Sequence, residues 1–259
     1  MLLSNFFKNK RKVSGETIIL HNHIFKNAGS SLDKILQLNF KNKFEDNKDN
    51  IVDINNLVYL SNLIKKNDLR SISSHAFYGP ILFEDTLKSF NIVFLRNPIH
   101  RILSAYEFER KQDINIYGSY PAVVKAHELN FKEYILWRLD QNNSIRNFQL
   151  TKMVRDGFRL NTQMKYSRKD IIKIFDQYDF VGLVEMFDSS IKKLQNSLAN
   201  HNINLKIMSA RYNVNNALSE INDRDYFIKN ELGSSLYAKL VSANEYDFHL
   251  HDYALEKVN

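Results

Sequence analysis

The stretch from Thr17 to Leu38 constrains the fold more than any other, because its hydrophobic period changes within one short turn. Thr17 to Leu20 is apolar and largely β-branched, as a buried strand requires. Ala28 and Gly29 then give a tight turn, and Ser30 and Ser31 open a helix carrying Leu32, Ile35, Leu36 and Leu38 at helical spacing. A strand running straight into a helix is the building unit of parallel α/β sheets, and its loop offers the first helical N–H groups to an anion. Lys26 stands ahead of the turn. In the magnesium-dependent loop G-x-x-x-x-G-K-[ST] the lysine follows the second glycine, so "HIFKNAGSSL", His23 to Leu32, predicts an anion held by a different arrangement.

The remainder of the chain repeats the alternation. Apolar runs at Thr17–Phe25, Leu69–Ser74, Asn91–Leu95, Phe180–Leu183 and Leu205–Met208 read as strands, separated by helical patterns. With only 7 Gly and 3 Pro to interrupt them, helices dominate. The C-terminal third reads as helices over Ser189–Asn200, Asp223–Glu231 and Ser234–Glu245. The Lys/Asn/Asp-rich stretch Lys41–Asn50 reads as a solvated insertion, and Lys111–Val123 as a surface loop. These patterns predict a single α/β domain over residues 1–259, with residues 1–15 a flexible N-terminal segment. A chain of 259 residues that is 44% hydrophobic can bury one full core. The formal charge of +7 favours an acidic partner without choosing among nucleic acid, an anionic sugar polymer and a nucleotide. The absence of cysteine excludes a disulfide, a thiolate nucleophile and a cysteine metal site. No apolar run approaches the ~20 residues of a membrane span, so the expected setting is cytoplasmic.

A second anion element lies at "NIVFLRNPIHRILSAYEFER", Asn91 to Arg110. The buried strand runs into Arg96; Asn97 is a natural N-cap, Pro98 takes the first helical position, and Ile99, Ile102, Leu103 and Tyr106 form one apolar stripe. Arg96 therefore sits at a strand's carboxyl end, where ligands of open parallel sheets bind, and its guanidinium offers a bidentate fork to a phosphate. Read alone it is equally a helix-capping arginine in a surface ion pair. An arginine where a phosphotransferase strand ends in a magnesium-binding acid argues against a kinase.

The two elements together, in this order and spacing, resemble the PAPS-dependent sulfotransferases, specifically the branch of the heparan and dermatan/chondroitin O-sulfotransferases. The resemblance continues through "SSHAFYG", "NFQLTKMV", "YDFVGLVEMFDSSIKKL", "RYNVN" and "NELGSSLYAKL", nearly the whole chain. It implies a three-layer P-loop-like fold: a central parallel sheet flanked by helices, with a helical C-terminal part. The implied reaction moves the sulfuryl group of PAPS to a hydroxyl of a carbohydrate or glycan acceptor and releases PAP, without a metal. By this resemblance Lys26, Asn27, Ala28, Gly29, Ser30 and Ser31 wrap the 5′-phosphosulfate, Arg96 and Ser104 grip the 3′-phosphate, and Arg211 reaches the nucleotide. Phe25 departs from the family's usual proline, and Ala28 from a frequent glycine.

In-line sulfuryl transfer needs positioning, charge stabilisation at the bridging oxygen and a base for the acceptor hydroxyl. Lys26 is the natural stabiliser. His75, in "SSHAFYG", stands at the position of the branch's catalytic histidine; without the resemblance a lone histidine at a strand end is an ordinary surface residue. Glu84, Asp85 and Glu109 are the alternative bases. His21 and His23 alternate onto one strand face with no clear third metal ligand, and read as buried histidines. His249 and His251 read as solvent-facing, and Arg101 as a brace on its helix. The competing classes are a basic nucleic-acid-binding module, a metal-free kinase-like nucleotide binder and an inactive relative. Lys and Arg are spread among acidic residues without an aromatic-interleaved stripe, which speaks against nucleic acid. The acceptor and the oligomeric state are left open by the sequence; the loops Lys41–Asn56 and Lys111–Val123 are where acceptor specificity would reside.

Overall fold

The computed structural model describes residues 17–47, 56–83, 87–140, 145–154, 165–207 and 221–258. The N-terminal segment 1–15 lies outside them. Five strands, β1 (Thr17–Asn22), β2 (Phe44–Asn47), β3 (Ser71–Ser74), β4 (Lys88–Leu95) and β5 (Phe180–Leu183), form one sheet in the order β2-β3-β1-β4-β5. Every neighbouring pair is parallel. The expected α/β fold with a central parallel sheet is therefore the one observed.

Helices α1 (Gly29–Phe40) and α9 (Phe187–Ala199) cover one face, where Leu32, Ile35, Leu36, Ile191, Leu194 and Leu198 meet Ile19, Phe90, Ile92 and Phe94. On the opposite face α2 (Leu57–Asn67) packs on Ile18, Leu20 and Ile72. Beside it α7 (Phe148–Met153), α8 (Arg168–Phe175) and α11 (Glu245–Val258) pack on Val93, Leu95 and Leu183. Both faces of β1 and β4 are thus buried, which is why these strands read as continuous apolar runs. A separate cluster joins α3 (Pro98–Glu109), α5 (Pro121–Glu128), α6 (Phe131–Asp140) and α10 (Ile221–Ser242) around Tyr106, Phe131 and Tyr134. Helix α10 breaks at Gly233, φ 70°, where the sequence pattern separates two helical segments. Among the described residues no helix is long and apolar enough to cross a membrane.

Three sequence expectations need correction. The stretch read as a solvated insertion contains β2, "FEDN", an edge strand in register with β3 from Phe44↔Ser71 to Asn47↔Ser74. An edge strand with one solvated side carries polar residues and leaves no apolar run. Leu205–Ile207 is not a strand; Met208 lies outside the described residues. Leu205 is apolar because it is buried beneath α1 and α9. The backbone of Lys206 bonds to a side chain in place of a strand neighbour: its N–H donates to Asn39 Oδ1 at 2.7 Å and its carbonyl accepts from Asn39 Nδ2 at 2.9 Å. Lys111–Val123, read as a loop, holds the short helix α4 (Ile114–Tyr117) and the start of α5, though most of it is exposed.

Candidate active site

Because the strands are parallel, the chain leaves β3, β1 and β4 at the same edge, and these three strands are adjacent. His75 follows β3, the Phe25–Gly29 loop follows β1, and Arg96 follows β4. Their convergence is a consequence of strand order.

The loop after β1 bends by placing two non-glycine residues, Lys26 (φ 67°) and Ala28 (φ 58°), in the left-handed region. Such a conformation costs of order 1 kcal/mol per residue and persists only where neighbours over-determine it. Asn27 supplies that restraint: buried, it donates from Nδ2 to Phe94 O at 2.7 Å and to Gln149 Oε1 at 2.6 Å. Its side chain is turned into the protein, so only its backbone can meet a ligand. Helix α1 begins at Gly29 with Ala28 as an N-cap that lends no side chain, so its first N–H groups have no capping oxygen from that residue. Ser30 is exposed and Ser31 buried.

Gly29 is required by contact. A Cβ there would lie 2.0 Å from Cδ2 and Nε2 of His23. Gly29→Ala is expected to push the His23 ring or the loop aside, at about 1–3 kcal/mol for overpacking. Thermal unfolding measures the loss, and unchanged stability would show that the ring gives way freely.

Lys26 Nζ lies 4.3 Å from the centroid of Phe108 and 5.9 Å from that of Phe25. Burial, and then the charge of Arg96, lower its pKa to about 8. Arg96 Nη1 donates to the Lys26 carbonyl at 3.1 Å, while Gln149 pins the Arg96 backbone from both sides, accepting from its N–H at 2.9 Å and donating to its carbonyl at 2.8 Å. Burial foremost, then the charge of Arg224, lower the Arg96 pKa to about 10. Asn97 caps α3, its Oδ1 accepting from Ile99 N at 3.0 Å, and Glu185 beyond β5 accepts from Asn97 N at 2.8 Å. Ser104, on α3 two turns after Arg96, is buried. Arg101 is buried with its Cζ 4.5 Å from the Phe148 centroid, a brace as expected.

His75 Nδ1 lies 2.7 Å from His23 O, which fixes the proton on Nδ1 and leaves Nε2 as the accepting nitrogen. Its ring packs against that of His23, centroids 3.9 Å apart and planes inclined by 43°, and Phe25 meets it edge-on at 6.4 Å. Burial, and then His23, lower the His75 pKa to about 4, so the imidazole is neutral at pH 7.

Beneath His75, the alternation of His21 and His23 has the third partner the sequence did not disclose. Asp33 of α1, itself buried, has Oδ1 2.9 Å from His21 Nδ1 and Oδ2 2.9 Å from His23 Nδ1, and Ser73 Oγ is 2.9 Å from His21 Nδ1. The three potential ligand atoms lie within 4.8 Å of one another, a spacing compatible with a metal. In this arrangement each carboxylate oxygen already faces one imidazole. Despite its burial, these contacts hold the Asp33 carboxyl far below the usual range.

The other sequence candidates separate. Arg211, Glu84 and Asp85 lie outside the described residues. Glu109 is engaged elsewhere, accepting from the Tyr134 hydroxyl and from Arg138 Nη2 at 3.0 Å. His251 is buried against Glu185, 3.4 Å from Oε2, and His249 is partly buried, contrary to the expectation that both face solvent. Helix α11 sends Leu250 and Ala254 into the core and carries His251 with them.

A profile of the sulfotransferase family matches residues 10–254. The chain belongs to the sulfotransferase family. The match includes all three loops of the carboxyl edge. An uncharacterized protein of Archaeoglobus fulgidus is 32% identical to this chain over 253 residues, covering 92% of this chain and 96% of the relative. The lysine-bearing and arginine-bearing loops are further riveted by Gln149 and Glu185, which fall within the stretches "NFQLTKMV" and "YDFVGLVEMFDSSIKKL" but were given no role there. No local spacing marks these two in the sequence, since each acts across more than fifty residues of chain.

Proposed function

We propose that the protein is an O-sulfotransferase that moves the sulfuryl group of PAPS to a hydroxyl of a carbohydrate acceptor and releases PAP. The observation that carries this reading is the meeting of two cations and one neutral imidazole at the carboxyl edge. Lys26 and Arg96 are joined through the Lys26 carbonyl, with burial foremost lowering the pKa of each and the Arg96 charge adding to it at Lys26. A ligand bearing phosphate at one end and phosphosulfate at the other relieves both. The N-terminus of α1, with Gly29, Ser30 and Ser31, takes the phosphosulfate; Arg96 and Ser104 take the 3′-phosphate.

In the reaction the acceptor O–H gives its proton to His75 Nε2 as the oxygen bonds to sulfur, and the bond from sulfur to the bridging oxygen breaks. Lys26 meets the charge growing on that oxygen. Phe25 and Phe108 flank Lys26, and the segment after α3 exposes Tyr117 and Tyr120, 40% and 60% accessible. Aromatic faces of this kind suit the apolar face of a sugar ring.

Calorimetry with PAP tests the donor site. PAP is expected to bind in EDTA and to stabilise the fold by about 2.7 kcal/mol at a hundredfold excess over Kd. Arg96→Ala should weaken PAP by about 2 kcal/mol and leave adenosine 5′-phosphosulfate, which lacks the 3′-phosphate, little changed. Equal losses for both nucleotides would assign Arg96 a structural role, and abolition of PAP binding by EDTA would overturn the metal-free reading.

A further inference from the structure

Helix α7 touches all three loops of the carboxyl edge, and it does so with residues one turn apart. Gln149 bonds to Asn27 and to the backbone of Arg96. Lys152, on the same helix face, serves the third loop. Its Nζ donates to the His75 carbonyl at 2.7 Å, and its own carbonyl accepts from Gly79 N at 2.9 Å and from Asn22 Nδ2 at 2.8 Å. The Tyr78 ring lies 3.8 Å from Nζ. One residue thus holds both ends of the 75–79 turn and ties it to the end of β1. Helix α7 is itself fixed, because buried Asp247 of α11 accepts from Gln149 N at 3.0 Å and Leu150 N at 2.8 Å.

We propose that Lys152 is the positioning residue of His75: it clamps the turn so that Nδ1–H stays on the His23 carbonyl and Nε2 stays the accepting nitrogen. A lysine is a costly choice for mere packing. Burial lowers its pKa to about 8, and the contacts it makes in return are a carbonyl and an aromatic face. Methionine would fill the same space without desolvating a charge. The ammonium also adds to the field at His75, where the charged or titratable groups facing the ring are His23 of the β1 loop, Asp33 of α1 and Lys152 of α7. Of these, Asp33 favours the imidazolium, while His23 and Lys152 oppose it. The functional meaning of the clamp rests on the reading of His75 as the base.

The test is histidine-labelled NMR of the full chain, with the His75 signals assigned by their loss in His75→Ala. In the wild type His75 is expected as a single Nδ1–H tautomer titrating below the ordinary imidazole range. In Lys152→Met the tautomers should mix and the titration should move up by roughly half to one pH unit, while Lys152→Arg, which keeps a charged donor, should stay near the wild type. PAP binding within about twofold of wild type shows that each variant is folded. Lys152→Gln takes the place of the methionine variant if that one fails to fold, and the same two readouts decide. A folded, PAP-binding Lys152→Met or Lys152→Gln protein with the wild-type tautomer and titration overturns the proposal. These readouts need no turnover, so a His75→Ala enzyme of normal rate would remove the base reading and leave the clamp standing.

Discussion

His75→Ala is expected to lower sulfuryl transfer by about 10²–10⁴ while leaving PAP affinity nearly intact, the usual contribution of a positioned general base. The two effects separate because none of the proposed donor contacts uses this ring. The pH dependence of kcat/KM should identify the group. Burial and His23 lower the His75 pKa to about 4, so the base form is gained as pH rises through that value and the ascending limb lies well below the ordinary imidazole range. Lys26 works in the protonated form, and burial brings its pKa to about 8, so activity should fall again above that pH. The ascending limb should vanish in His75→Ala and the descending one persist. Labelled PAPS with a panel of glycan acceptors supplies the assay. Near wild-type turnover by the alanine variant would sink the assignment.

How much of this was legible in the sequence follows from the range of the interactions. The strand–turn–helix at Lys26 and the Asn97–Pro98 cap after β4 are local features, written within about ten residues, and both stand as read. His75 was legible only through its motif, since nothing in its neighbours specifies that His23 O will take its Nδ1 proton. The contacts that make the edge rigid were not legible, although the residues that make them fall within stretches the resemblance covers. Gln149, Lys152 and Glu185 reach Arg96, His75 and Asn97 across spans of 53, 77 and 88 residues, and a lone polar side chain carries no sign of such a partner. Asp33 lay on the polar side of an amphipathic pattern that was correctly read as helical; only the packing of α1 over β1 shows that this position faces two histidines. The polar edge strand β2 was lost for the complementary reason, that a strand needs no apolar run where one side meets water.

That buried trio carries the largest expected change in stability. Asp33→Asn keeps the size of the side chain and one carbonyl oxygen. It replaces the other oxygen, 2.9 Å from an imidazole Nδ1, by an amide donor, and removes the charge that both rings face. A hydrogen bond to a charged group contributes about 1.5–3 kcal/mol, and here two imidazoles lose such a partner while staying desolvated. Urea unfolding at pH 7 should show a loss of that size, and a loss below about 1 kcal/mol would mean that the histidines are content without the charge. The pH dependence has a definite sign. The Asp33 carboxyl is held far below its unfolded value of about 3.9, so its contribution is fully present above that value and is lost as pH falls below it. The gap between wild type and Asp33→Asn should therefore be constant near neutrality and narrow below about pH 4. The same substitution reaches the reaction. His23 packs against the His75 ring at 3.9 Å between centroids, presents the carbonyl that fixes its tautomer, and fills the space that Gly29 leaves open. A loosened His23 should disturb both the base and the loop after β1, so a folded Asp33→Asn enzyme is expected to lose turnover and PAP affinity together, where His75→Ala loses turnover alone.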